Sequence, residues 1–432
     1  MPRSSLLALI AILFVSPSLT LAQGGAAATV RARDLGVPFD GTPGASNAIT
    51  DVAGVTVGVT TLIRGDGALK VGEGPVRTGV TAILPRGANN DPVYAGWFSL
   101  NGNGEMTGTT WVEESGLLDG PVALTNTHSV GTVRDAVIAW GLKHGVSHQD
   151  WSLPVVAETW DGWLNDINGF HVKPEDVFAA LDSARSGPVP EGNTGGGTGM
   201  VCYGFKGGTG TASRVLAKEQ GGYTVGVLVQ CNCGRRPQLT IAGVPAGKEI
   251  PGNTPYSGNK HPDANIPGSG PPALATTKNR KDGARNESAT AGNDVPSMNA
   301  IPPGSEDEGD VGSIIIVIAT DAPLLPHQLK RLARRASLGL ARTGSTSGNG
   351  SGDIFLAFST GNSHVDALPG PNTVETVSNE RISPLFTATV EATEEAIVNA
   401  MVGAKTMTGI DGHTVIALPH DQLRQVLKKY NR

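Results

Sequence analysis

The sequence predicts a layered α/β sandwich. Two runs, Val225 to Cys233 (VGVLVQCNC) and Ser313 to Ala319 (SIIIVIA), are almost continuously apolar. Strands of that kind are covered on both sides, here by a second sheet and a helix layer. Around them lie stretches with helix-start signals and helical spacing of apolar residues. At 432 residues the chain can bury a substantial core. Its 59 glycines, about twice the roughly 7% norm, imply many tight turns and close backbone packing.

In chain order, residues 1–22 read as a secretory leader. Arg3 supplies a positive end, Leu6 to Val15 is an apolar run too short to span a bilayer, and Thr20-Leu21-Ala22 offers small residues before a cut. The mature chain is expected to start near Gln23 and to be exported, to the periplasm of a Gram-negative cell or otherwise outside. Ile49 to Leu62 and Gly79 to Leu84 read as strands. Thr132 is placed to cap a helix with Val133, Val137 and Trp140 on one face, and Pro174-Glu175-Asp176 opens another with Val177, Leu181 and Ala184 inward. Leu325, Leu329, Leu332, Ala336 and Leu340 define a third, whose outer face of Lys330, Arg331, Arg334 and Arg335 is most simply solvated. Thr393-Glu394-Glu395 opens a fourth, with Ile397, Ala400 and Met401 inward and Gly403 at its end. Residues 250–312 stand apart: rich in Pro, Gly, Asn, Ser and Lys and without periodicity, they are either disordered or a processing arm. This arm separates 23–249 from 313–432.

Composition excludes several classes. Charged residues are 17% and the net charge is -6, so nothing points to nucleic acid or an anionic membrane. Three cysteines, Cys202, Cys231 and Cys233, are too sparse and odd a set for a disulfide framework. Cys231 and Cys233 are also too close for most metal-site spacings and read as small core residues. No His-x-x-x-His or comparable set supports a metal, and no cofactor is implied.

The junction Gly312-Ser313 joins the arm, through the acidic tract Glu306 to Asp310, to a run of pure strand-former. Cutting there would free the Ser313 α-amino group and leave its hydroxyl at the end of a core strand, as an N-terminal nucleophile. Locally the plainer reading, a loop meeting a strand, is favoured. The loop Gly344 to Gly352 (GSTSGNGSG) lacks the Gly-Lys-Ser/Thr ending of a phosphate loop. It does place Ser351 two residues from Asp353, so in extended geometry both point the same way. A hydroxyl and a carboxylate aimed together can orient and deprotonate a nucleophile, although a surface Gly/Ser hairpin reads as well. Asn232, at the end of its strand, is either a donor to a developing oxyanion or a turn-former before Gly234. Glu158 ends the apolar run Leu153 to Ala157 and needs a cationic partner, internal or from a ligand. His128 and Asp135 suggest a triad, but Thr-His-Ser before a helix is more often capping and packing.

Together these residues resemble the DmpA-type aminopeptidase family, which includes L-aminopeptidase/D-esterases and β-peptidyl aminopeptidases. The resemblance rests on ITDVAGVTVG (49–58), LNGNGEMTG (100–108), LTNTHSVG (124–131), VAETWDGWLND (156–166), GNTGGGTGM (192–200), 227–234, GSIIIVIATDAP (312–323) and 343–358. These blocks run in order through most of the mature chain. The resemblance implies a precursor that cuts itself before Ser313, its two chains staying together in a four-layer αββα sandwich like that of N-terminal nucleophile hydrolases.

Carried over residue by residue, Ser313 is the nucleophile, Ser351 and Asp353 are its partners, Asn232 stabilises the oxyanion, and Glu158 binds the substrate's free amino group. Glycine at 312 would let the backbone adopt strained conformations that a Cβ forbids. The base is either the Ser351–Asp353 pair or the new α-amino group, with a reference pKa of about 7.7–8.0. Trp160, near the substrate, stands where some members have tyrosine, so any role of that hydroxyl is absent. The arm is several tens of residues longer than is usual.

The resemblance further implies small peptide, amide or ester substrates with a free amino terminus, β- or D-amino acids among them. It also implies a homotetramer of αβ units, with no nucleic-acid or membrane partner. An acyltransferase using the same acyl-serine, and a catalytically silent exported binding protein, are the alternatives.

Overall fold

The computed structural model describes residues 30–89, 91–146, 149–252, 255, 312–366 and 371–432. The leader and nearly all of the arm, with its acidic tract, lie outside the described residues. Strands β1 (Thr56–Arg64), β2 (Val76–Ala88), β5 (Val122–Asn126) and β6 (Val155–Thr159) form a four-stranded sheet in that order. Strands β3 (Val93–Ser99), β4 (Leu117–Leu118), β9 (Gly208–Val215), β10 (Thr224–Asn232), β11 (Ser313–Thr320) and β12 (Ile354–Ser359) form a larger one, in the order β4-β3-β12-β11-β10-β9. Two short ribbons pair β7 (Val201–Cys202) with β8 (Phe205–Lys206) and β13 (Met407–Thr408) with β14 (Thr414–Val415). The helices are α1 (Thr109–Ser115), α2 (Val130–His144), α3 (Pro174–Asp182), α4 (Ala246–Glu249), α5 (Pro326–Arg342), α6 (Ser383–Val402) and α7 (His420–Lys429).

The sheets face each other through Leu228, Ile315, Val317 and Leu356 on one side and Ile83, Leu124, Val155 and Ala157 on the other. Helices α2 and α3 cover the small sheet, packing Val133, Val137, Val177 and Leu181 on Val80 and Val156. Helices α5 and α6 cover the large one, packing Leu329, Leu332, Ile397 and Met401 on Val227, Val229, Ile314 and Ile316. Four layers in the order αββα result, and every residue of β10 and β11 is buried. Cover on both faces is why these strands are apolar throughout rather than alternating.

Several local expectations change. Helix α2 starts at Val130, where a short turn leads in and Asn126 accepts the Ser129 N–H at 3.0 Å, so Thr132 is not the cap. Helix α6 starts at Ser383, with proline in its first turn, and runs through Thr393, whose hydroxyl donates back to the Thr389 carbonyl at 2.7 Å. Glu395 is no surface acid of a first turn: it is buried, pairing with Arg33 and Arg214 at 2.8 Å each. The basic face of α5 is only partly solvated. Arg331 and Arg335 lie over the Phe386 ring, Arg334 lies over Phe98, and Lys330 pairs with Glu113.

The cysteine reading also needs correction. Cys202 and Cys231 form a disulfide, because the β7 segment lies against the end of β10 and brings their Cα atoms to 5.9 Å. Cys233 stays outside it, buried 3.8 Å from the Cys231 sulfur. Among the described residues, no helix is long and apolar enough to cross a membrane.

Candidate active site

The antiparallel register of β10 on β11 sets Asn232 directly opposite Ser313, at the end of both strands. Such cross-strand pairs share a face. By alternation it is the face of Leu228, Gln230 and Ile315, turned toward the small sheet, where Gln230 donates to the Thr125 carbonyl and the Thr159 hydroxyl at 2.8 Å each. The parallel neighbour β12 is entered from the loop carrying Ser351 and Asp353. Gly352 N–H donates to Ser313 Oγ at 3.1 Å. Ser351 Oγ donates to Asp353 Oδ1 at 2.6 Å, and the same oxygen accepts the Ile314 N–H at 3.1 Å. Hydroxyl and carboxylate therefore do point together, and both are fully buried. Their link to Ser313 runs through the Ile314 and Gly352 amides; among the described residues no hydrogen bond joins the two serine hydroxyls.

This loop is strapped from outside by residues 100–104. Asp353 N–H donates to Asn101 Oδ1 at 2.6 Å, Asn101 Nδ2 donates to the Ser347 and Gly348 carbonyls at 3.2 Å, and Asn103 Nδ2 donates to the Gly350 carbonyl at 2.9 Å. Sequence reasoning gave Asn101 and Asn103 no role. The signal was there: amides alternating with glycines, the first to bond a backbone and the second to approach it. A Cβ on Gly104 would sit 3.0 Å from Gly352 Cα and 3.4 Å from Glu158 Oε1, so this glycine joins the serine loop to the acid.

Glu158 lies at the end of β6 and is 3% exposed. Its carboxylate accepts the Glu105 N–H at 2.9 Å and the Thr127 hydroxyl in a short hydrogen bond. Burial pushes its pKa up; the two hydrogen bonds oppose that rise and the nearby Glu105 charge adds to it. Among the described residues no cation pairs with it. The cationic partner that such a group calls for is not found among the described residues.

Gly312 is glycine for a reason other than its backbone angle, which lies outside the left-handed region. A Cβ there would fall 2.2 Å from the Asn232 carbonyl oxygen and 2.8 Å from Cys233 Cα. Packing, not strain, excludes a side chain. Asn232 Oδ1 accepts the Val201 N–H at 2.7 Å, so the amide NH₂ is the end left to donate elsewhere. Trp160 is half-buried against the cluster of Trp163, Leu164 and Val201. His128 is exposed and stacks near Phe170, while Asp135 is exposed beside Arg134, so these two build no triad.

The sequence model of peptidase family S58 matches residues 47–415. This chain belongs to peptidase family S58. It is 54% identical over 414 residues to the beta-peptidyl aminopeptidase BapA of Sphingosinicella microcystinivorans, covering 95% of each chain. A Burkholderia sp. beta-aminopeptidase structure superposes with a TM-score of 0.75 at 44% identity, over 93% of this chain and 99% of that one. The L-aminopeptidase D-Ala-esterase/amidase of Ochrobactrum anthropi, described as a prototype serine aminopeptidase and a variant of the Ntn hydrolase fold, gives 0.76 at 46% identity, over 93% and 99%. The S58 assignment bears out the expected αββα architecture and the expected serine aminopeptidase class.

Proposed function

We propose that this S58 peptidase matures by cutting its own Gly312-Ser313 bond and then uses Ser313 to remove N-terminal residues from small peptides and amides. The observation that carries the reading is the meeting of Ser313 and the Ser351–Asp353 pair at one strand end, with the buried Glu158 joined to their loop through Gly104 and without a cation among the described residues. In the first step Ser313 Oγ adds to the Gly312 carbonyl carbon, the C–N bond breaks, and the serine nitrogen takes the hydroxyl proton. Water then opens the ester, leaving a Gly312 carboxylate and a free Ser313 amine. In turnover Ser313 Oγ attacks the carbonyl of the substrate's first residue, the leaving amine takes the proton, and water hydrolyses the acyl-serine. Asn232 NH₂ donates to the oxyanion in both steps. In turnover the proton passes through the freed Ser313 α-amino group, with the Ser351–Asp353 pair orienting the β11 amide beside it.

Glu158 receives the substrate ammonium, which restricts the enzyme to free amino termini. Trp160, two residues after Glu158, shapes the acyl side in this reading. β-Amino acyl substrates enter the proposal because two of the similar proteins are a beta-peptidyl aminopeptidase and a beta-aminopeptidase. Export through the leader and a homotetramer of processed units complete it; detection in the periplasmic fraction and native mass test those two parts.

Turnover of aminoacyl p-nitroanilides and amides with L-α, D and β-homo residues tests the substrate class, with added amine acceptors to separate hydrolysis from transfer. Release of free amino acid only from unblocked substrates is expected. Equal turnover of N-acetylated substrates, or transfer product dominating, contradicts the reading.

A further inference from the structure

Lys206 is fully buried, yet no carboxylate lies in ion-pair contact with it among the described residues. Its ammonium donates to the Met200 carbonyl at 2.7 Å and the Gly207 carbonyl at 2.9 Å. Placing a cation there is costly, and a methionine of similar volume would fill the space without that cost. The arrangement points to something the charge does for its acceptors.

The Met200 carbonyl belongs to the peptide unit whose N–H, on Val201, donates to Asn232 Oδ1 at 2.7 Å. Gly207 N–H donates to the same carbonyl at 2.9 Å, so one end of this peptide is held by two donors. Its other end fixes the orientation of the Asn232 amide. Turning that amide over would set its NH₂ against the Val201 N–H, donor against donor. An ammonium on the carbonyl also polarises the peptide and strengthens its N–H as a donor.

We propose that Lys206 is a positioning residue for the oxyanion donor: it clamps the Met200–Val201 peptide, which holds Asn232 with its NH₂ turned to the bond being cut. The proposal rests on the reading of Asn232 given above. The counter-charge is Asp161, 1% exposed, on the segment after β6. Asp161 Oδ1 accepts Asn165 Nδ2 at 3.0 Å, and the Thr78 hydroxyl also stabilises its charged form. Asp161 is the charged group that acts on Lys206, and Glu158 in turn acts on Asp161. Burial pulls the Lys206 pKa down to about 7, a fall that the Asp161 charge opposes, and burial likewise pushes Asp161 up to about 7.

The test is a double-mutant cycle with a p-nitroanilide substrate, kcat being counted per cut chain after self-cleavage has been left to proceed. Lys206→Met is expected to lower kcat by at least about tenfold with KM within about twofold, and to slow self-cleavage. In an Asn232→Ala background the same change is expected to alter kcat by less than about twofold. An equal loss in both backgrounds overturns the proposal, as does an unchanged kcat in the single variant. If Asn232→Ala alone leaves kcat unchanged, the oxyanion reading fails and takes this inference with it. Loss through Asn232 alone, with Lys206→Met silent, removes only the inference. Should Lys206→Met fail to fold, Asp161→Asn keeps the lysine while weakening its hold on the proton. The alkaline limb of kcat is then expected to move to lower pH, and an unmoved limb overturns the proposal.

Discussion

Replacing Glu158 with glutamine isolates the interaction that would make this enzyme an exopeptidase. The side chain keeps its size and both contacts can persist: the amide oxygen can accept the Glu105 N–H, while its NH₂ donates to the Thr127 hydroxyl, which turns from donor to acceptor. What disappears is the charge facing the substrate ammonium. Two unit charges about 4 Å apart at an effective dielectric near 20 attract by about 4 kcal/mol. Part of this is offset, because the glutamine escapes the desolvation that pushes the Glu158 carboxyl upward. A net loss of about 2–3 kcal/mol corresponds to about 30- to 150-fold in kcat/KM. The assay compares kcat/KM for an aminoacyl p-nitroanilide with that for its N-acetyl analogue, in wild type and variant. The loss is expected only for the free amine, with self-cleavage intact and thermal stability equal or higher. A loss below about threefold, or an equal loss on both substrates, refutes the assignment.

Three further outcomes follow from the same geometry. Only the ionised Glu158 binds an ammonium, and burial raises its pKa in the free enzyme, so kcat/KM should rise with pH through a midpoint above the usual carboxylate range. That limb should move to lower pH in kcat, where bound ammonium favours the carboxylate, and should vanish in Glu158→Gln; a pH-rate profile reads both. Asn232→Ala should lower kcat by about 10²–10³ with little change in KM, as loss of an oxyanion donor does, and steady-state kinetics would show a KM effect instead if the residue only binds substrate. Gly312→Ala should leave uncut precursor, since its Cβ would meet the Asn232 carbonyl at 2.2 Å, and cleavage at the wild-type rate on a time-course gel speaks against that packing.

Much of this architecture is legible because burial on both sides leaves a plain mark. The runs at 225–233 and 313–319 form neighbouring strands of the six-stranded sheet, and alternation along the first correctly separates Asn232 and Gln230 from the cysteines. Register is not legible: nothing local says that Asn232 pairs with Ser313, because that pairing joins segments about eighty residues apart along the chain. Helix α6 was misplaced because Thr393-Glu394-Glu395 imitates a first turn, while the true use of Glu395 is a buried pair with Arg33 and Arg214 from distant segments. The disulfide escaped for the same reason, since Cys202 and Cys231 meet only when β7 folds onto β10. Lys206 carried no signal at all. A lysine beside a glycine in a turn reads as solvated until its burial is seen.

Intact-mass and N-terminal analysis of the purified protein tests the central claim most directly. The account predicts two chains, the second beginning at Ser313, and a single uncut, inactive chain for Ser313→Ala. An active preparation that remains one chain, or unchanged cleavage in Ser313→Ala, would contradict it.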